Sequence, residues 1–208
     1  MSRVVIPILF ATAAATGCVA AEGDESFVIV NNLVPEIDID SGAVSFAPNQ
    51  DGPFFSQGFV NPSDPFFFVG SLFESRVQAG EGKESLRTIF VQGANISIKI
   101  SPVSVVRGSN VEILGAEETI EFQQQFTSAI SPNGGLAVGV YDVIPFNVMA
   151  AIRGKIGGAI DDTTAEIFVQ VSTTTTAFGD FYGDRIDSTS FTFPVVVTNT
   201  VAPTLVTP

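Results

Sequence analysis

A chain of 208 residues, 45 % apolar and only 15 % charged, has the means to bury a core and is not composed like a disordered tail. Its formal net charge of -13 gives a surface that repels phosphate backbones and so disfavours nucleic acid as a partner. Histidine is absent and cysteine occurs once. That removes the usual general base, the usual zinc and copper ligands, and any disulfide within the chain.

The chain opens with a short basic start, Met1-Ser2-Arg3, followed by an uncharged run from Val4 to Ala14 and then Ala15-Thr16-Gly17-Cys18. A charged start, an apolar stretch and small residues before a cut site predict a secretory signal. The apolar run is too short for a transmembrane helix, which needs about 20 residues. The single cysteine directly after the small residues resembles the lipobox of bacterial lipoproteins. That resemblance implies a signal peptide over 1–17 and an acylated Cys18 carrying palmitate-type chains. It also implies a tether over 18–26. Val19 in place of an aspartate points, by the same resemblance to enterobacterial lipoproteins, to the outer membrane or cell surface. An ordinary signal cut after Val19-Ala20-Ala21 is the alternative, and it would discard the cysteine.

From Phe27 onward the sequence reads as strands. Phe27-Val28-Ile29-Val30 and Phe66-Phe67-Phe68-Val69 are continuous apolar runs, as in strands buried on both faces. Between them, Glu36 to Pro65 is rich in Pro, Asp and Gly and predicts long loops with one short strand near Phe54 to Val60. Asn95 to Ser101 alternates without a break, and Thr119 to Thr127 places Ile120, Phe122 and Phe126 on one face. Pro132-Asn133-Gly134-Gly135 predicts a hairpin. Asn147 to Ile156 reads as a further alternating strand with Val148, Ala150, Ile152 and Ile156 inward. Glu166 to Ser172 and Ser190 to Val197 alternate again, and Thr173 to Thr176 reads as a β-prone edge. Turns are expected at Gly80 to Lys83, Gly157-Gly158 and Gly179-Asp180. Pro194 within its strand predicts an edge or a bulge. The expectation is an all-β, antiparallel two-sheet β-sandwich over 27–199, with a loose tail over 200–208. Nineteen phenylalanines suggest that its packing is largely aromatic.

Three groups of polar residues invite a chemical reading. Asp38-Ile39-Asp40-Ser41-Gly42 begins like a calcium loop but has Asn49 where the bidentate glutamate belongs, so it reads as a solvated acidic turn. Asp180, Asp184 and Asp187 place three carboxylates near one turn and are the candidate metal set, for calcium. The competing reading is a soluble loop in which Arg185 pairs one of them. Asp161-Asp162-Thr163-Thr164 reads as a turn with no assigned role. A carboxylate pair for glycoside hydrolysis has no specific signature here. No Gly-x-Ser-x-Gly elbow is present, and Lys83, Lys99 and Lys155 fall in turns or on outward-facing strand positions. The phenylalanines Phe54, Phe55, Phe59, Phe66, Phe67, Phe68 and Phe73 read as core rather than as a sugar platform. No catalytic residue and no cofactor emerges.

The layout of Cys18, then Glu22-Gly23-Asp24-Glu25, then Phe27-Val28-Ile29-Val30-Asn31-Asn32 resembles uncharacterised bacterial lipoproteins of the type common in myxobacteria. The closing stretch from Ile186 to Val195 is similar to the last strand of such proteins. The resemblance implies a lipid-anchored β-domain on the cell envelope and implies no reaction. The expected function is therefore a non-catalytic envelope protein with a structural or adhesive role, its partners the membrane and other envelope proteins or glycans. A glycan- or calcium-binding surface module is the alternative, and a carboxylate-based hydrolase comes last.

Overall fold

The computed structural model describes residues 26–33, 36–37, 44–45, 57–82 and 87–200. Cys18, the acidic turn around Asp38, Phe54 and Phe55, Lys83 and the tail beyond Thr200 lie outside the described residues.

In chain order the strands are β1 (Phe27–Leu33), β2 (Glu36–Ile37), β3 (Val44–Ser45), β4 (Gly58–Val60), β5 (Phe67–Ser75), β6 (Ile89–Ile100), β7 (Val103–Arg107), β8 (Asn110–Leu114), β9 (Glu118–Ile130) and β10 (Leu136–Ile144). A helix α1 (Phe146–Ile156) and a 3-10 turn (Gly157–Asp161) follow, then β11 (Glu166–Phe181), β12 (Asp184–Asp187) and β13 (Phe191–Thr198). One sheet has the order β1-β5-β10. The larger has the order β4-β13-β11-β6-β9, with β12 and the β7–β8 hairpin also laid along β11. All pairings are antiparallel except β4 on β13. The short pair β2–β3 stands apart. Both sheets feed one apolar cluster, so the protein is an all-β sandwich.

The core follows from alternation. Ile96, Ile98 and Ile100 of β6, Ile167, Val169 and Val171 of β11, and Val195 and Val197 of β13 all turn the same way and are buried. Across the gap β5 and β10 supply Val69, Phe73 and Val143. Phe126 of β9 lies between Phe73 and Tyr141, with ring centroids 6.0 and 5.0 Å away, so aromatic stacking ties the two sheets together. A polar chain crosses the same gap. Ser71 Oγ donates to Asn32 Oδ1 at 2.7 Å and lies 2.6 Å from the Tyr141 hydroxyl. With the serine proton committed to Asn32, the tyrosine donates to Ser71, and Thr175 of β11 donates to the tyrosine.

β11 is the spine of the larger sheet. One of its edges is covered by β6 and then β7, the other by β12 and then β13. Each edge has a break, and each break is stitched by a serine. At the first, Ser101 donates its N–H to Gln170 O at 2.8 Å, and its Oγ accepts from Gln170 N–H at 2.9 Å. At the second, Ser188 donates to Ala177 O at 2.8 Å and accepts from Ala177 N–H at 2.9 Å. A side-chain oxygen thus replaces the carbonyl a regular strand would present. Where β6 crosses β11 at Gly179, a Cβ would lie 2.7 Å from Phe90 O, so only glycine allows the approach.

Four expectations are corrected. The segment Asn147 to Ile156 is helical, not a strand. Val148, Met149, Ile152 and Ile156 are buried at helical spacing while Ala150 is exposed, and Pro145 and Gly157 bound the helix. The turn at Pro132 to Gly135 forms, but it is no hairpin. β9 pairs with β6 and β10 with β5, so the turn passes the chain from one sheet to the other. Asn133 fixes it by bonding both Ala79 N–H (2.8 Å) and Ala79 O (3.2 Å). Gly179-Asp180 lies inside β11, and the real turn is Tyr182-Gly183, both at positive φ as a two-residue hairpin of type I′ requires. Thr173 to Thr176 is not an edge but the middle of the spine, with Thr173 and Thr175 buried. Pro194 sits where β4 no longer covers β13, in keeping with the expected edge.

Candidate functional site

The candidate metal set is divided by the pleat. In the β11–β12 hairpin Asp180 stands opposite Arg185 and Phe178 opposite Asp187, so these four share one face. Asp184 stands opposite Phe181 and points to the other face. Arg185 then occupies the space between the two remaining carboxylates. Its Nε lies 3.4 Å from Asp187 Oδ1, and its guanidinium lies 4.5 Å from the Phe178 ring centre. Asp180 Oδ1 is engaged by Gly183 N–H at 3.1 Å. Among the described residues, no three Asp, Glu or Cys side chains converge as a metal-binding group. The geometry of this turn is that of a capped, ion-paired hairpin tip.

The outer face of the larger sheet is polar. Two rows run across its strands, Thr192-Thr174-Ser97-Glu121 and Ser190-Thr176-Asn95-Gln123. Thr174 and Thr192 hydroxyls lie 3.2 Å apart, and Thr176 and Ser190 hydroxyls 2.8 Å apart. A depression of about 430 Å³ lies over the middle of these rows. The neighbouring hollow, about 310 Å³, is lined by Lys99, Glu117, Ser172 and Pro194 among others. Lys99 is held by Glu117 at 3.1 Å and is therefore not positioned as a base for these hydroxyls. This face offers hydrogen bonds to water or polyols.

Sequence reasoning passed over a charged knot at the far end of the sandwich. Arg107 Nε binds Asp162 Oδ2 at 2.8 Å and its Nη1 binds Glu112 Oε2 at 3.0 Å. Asp162 Oδ1 also accepts from Thr164 Oγ1 (2.7 Å) and Thr164 N–H (3.0 Å). Arg107, with Thr164 adding to it, holds the Asp162 carboxyl down to about 2. The knot joins the β7–β8 hairpin to the turn before β11. Its one sequence signal was the Asp-Thr-Thr turn composition, which says nothing about a partner 55 residues away.

β8 is the exposed element of that hairpin. Val111 is 62 % and Ile113 59 % exposed, and among the described residues β8 pairs with β7 alone. Other exposed aromatics fall at both poles: Phe66 and Phe146 near the start of α1, Phe90 and Tyr182 near the β11–β12 turn. Phe73 is core as expected, Phe67 and Phe59 are half-buried, and Phe66 is not core. Lys155 lies in α1, bonded to Glu118 at 2.7 Å.

Fold and site together define a β-sandwich domain with a polar sheet face and a free-edged hairpin at one pole. No protein-family model matches the chain, and no curated protein matches it.

Proposed function

We propose that the chain is a lipid-anchored, non-catalytic protein of the bacterial cell envelope, with a structural or adhesive role. The observation that carries the reading is the stretch Ala15-Thr16-Gly17-Cys18 behind a basic start and an apolar run, with Cys18 the sole cysteine. Acylation gives an otherwise unpaired thiol a use. Several acyl chains hold a protein stably at a membrane where one does not.

On this reading the strand order sets the orientation of the domain. β1 starts at the pole that also carries the Asn133 and Tyr182 turns, while the β7–β8 turn lies at the opposite pole. Eight residues, Val19 to Ser26, separate Cys18 from β1, a reach of at most about 32 Å. An anchor at Cys18 therefore holds one pole near the bilayer and turns the β7–β8 pole outward. The test is Cys18→Ala followed by detergent phase partitioning and mass spectrometry of the mature N-terminus. The wild-type chain should enter the detergent phase with an acylated Cys18, and the variant should stay aqueous. Equal partitioning of both, or a mature chain beginning at Glu22, overturns the anchor.

A further inference from the structure

We infer that the free edge of β8 is a strand-addition site for an extended partner segment with apolar residues at alternate positions and cationic ones between them. The inference stands on the backbone. β7 and β8 are joined by a two-residue turn, Gly108-Ser109, with Gly108 at a φ of 59° as a II′ turn requires. The residues flanking such a turn, Arg107 and Asn110, exchange both hydrogen bonds. Alternation then makes Val105 with Glu112 and Val103 with Leu114 the other bonded pairs. Val111 and Ile113 are left with N–H and C=O pointing away from β7, into the open edge. These exposed groups bond to water until another strand, which offers N–H and C=O at the same spacing, replaces it.

The side chains say which strand. Val111 and Ile113 stand on the outer face beside Val106, so the incoming strand must offer apolar residues there. The positions between them face Glu112 on the other side of the sheet. Arg107 is shared by Glu112 and Asp162, so that face holds one cation for two carboxylates. Cationic residues on the partner complement this edge. A second copy does not. Two-fold pairing of β8 that uses both Val111 and Ile113 in the shared ladder sets Glu112 against its own equivalent, between chains of net charge -13 each. The occupant is therefore a segment of a different, basic protein. This site does not depend on Cys18, and its test reads binding at β8 whether or not the chain is acylated.

The experiment uses the full chain in detergent and a short labelled peptide alternating lysine and valine, with a glutamate–valine peptide as its counterpart. Fluorescence anisotropy reads binding, and amide hydrogen exchange reads its place. The lysine peptide should bind and slow exchange at Val111 and Ile113, and the glutamate peptide should not. Val111→Pro deletes one outward N–H without touching the β7 ladder, and should weaken binding about tenfold, the worth of one hydrogen bond. Ile113→Lys keeps the backbone intact and should weaken the lysine peptide through like charge. Equal binding of both peptides, protection elsewhere on the sandwich, or unaltered binding by folded Ile113→Lys protein overturns the inference. So does protection of β8 by self-association without peptide.

Discussion

Asp162 shows what single residues contribute and how little of it can be read ahead. Its neighbours Asp161, Thr163 and Thr164 announce a turn, and the turn is there. Its real partner, Arg107, arrives from another strand, and no local pattern announces that. Because the carboxyl is held well below its ordinary value, the ion pair stabilises the fold above about pH 4 and loses its effect as pH falls towards 2. Melting temperatures of wild-type protein and Asp162→Asn should therefore differ at pH 5 and converge near pH 2. A gap that stays constant across that range removes the ion pair as its cause. Asp180, Asp184 and Asp187 teach the converse. They are close in sequence, and the pleat sends Asp184 to the opposite face. Proximity along a strand is not convergence.

At the scale of elements, alternation was a good guide wherever one face of a strand meets the core. Asn95 to Ser101, Glu166 to Ser172 and Ser190 to Val197 all face the way their apolar residues demand. It misled at Asn147 to Ile156. Val148, Ile152 and Ile156 sit at even spacing and also at the four-residue spacing of a helix, and Met149 is the residue that separates the readings. The turn at Pro132 was legible as a turn, but which sheet receives the next strand depends on pairing partners far along the chain. The serine stitches were not legible at all, since a serine in a gap looks like any loop residue. Their energetic weight differs by burial. Ser188→Ala leaves the buried Ala177 N–H without its acceptor and should cost about 1–3 kcal/mol, read by denaturant titration. Ser101→Ala affects a more exposed amide, Gln170, and should cost less. Equal losses at the two sites would mean that burial does not set the scale here.

For the whole molecule, the sandwich class followed from composition, turns and periodicity, whereas the tie between its sheets did not. That tie is the Thr175–Tyr141–Ser71–Asn32 chain beside the Phe126 stack, and its residues come from four strands. Burial pushes the Tyr141 phenol up, with the Ser71 and Thr175 hydrogen bonds opposing. A folded state that holds its phenolic proton more tightly than the unfolded chain loses stability once pH exceeds about 10. In Tyr182→Phe protein the sole remaining phenol is Tyr141. Its phenolate absorbance should appear only above pH 10, together with loss of the folded signal. Phenolate formation in a protein that stays folded would show the phenol to be solvated.

The spine strand sets a timetable. β6 and β7 are made early in the chain, yet the edge they offer to β11 has no partner until residues 166–181 have been made. β11 in turn lacks its other edge until β13, at the end of the described chain, has followed. Such pairings are distant in sequence and form slowly. A chain emerging from its N-terminus thus carries a long isoleucine-rich strand with one edge open through much of its synthesis. The sheet closes only when the final strand arrives, so a chain cut short before Phe191 would leave the spine half covered and prone to pair with its neighbours.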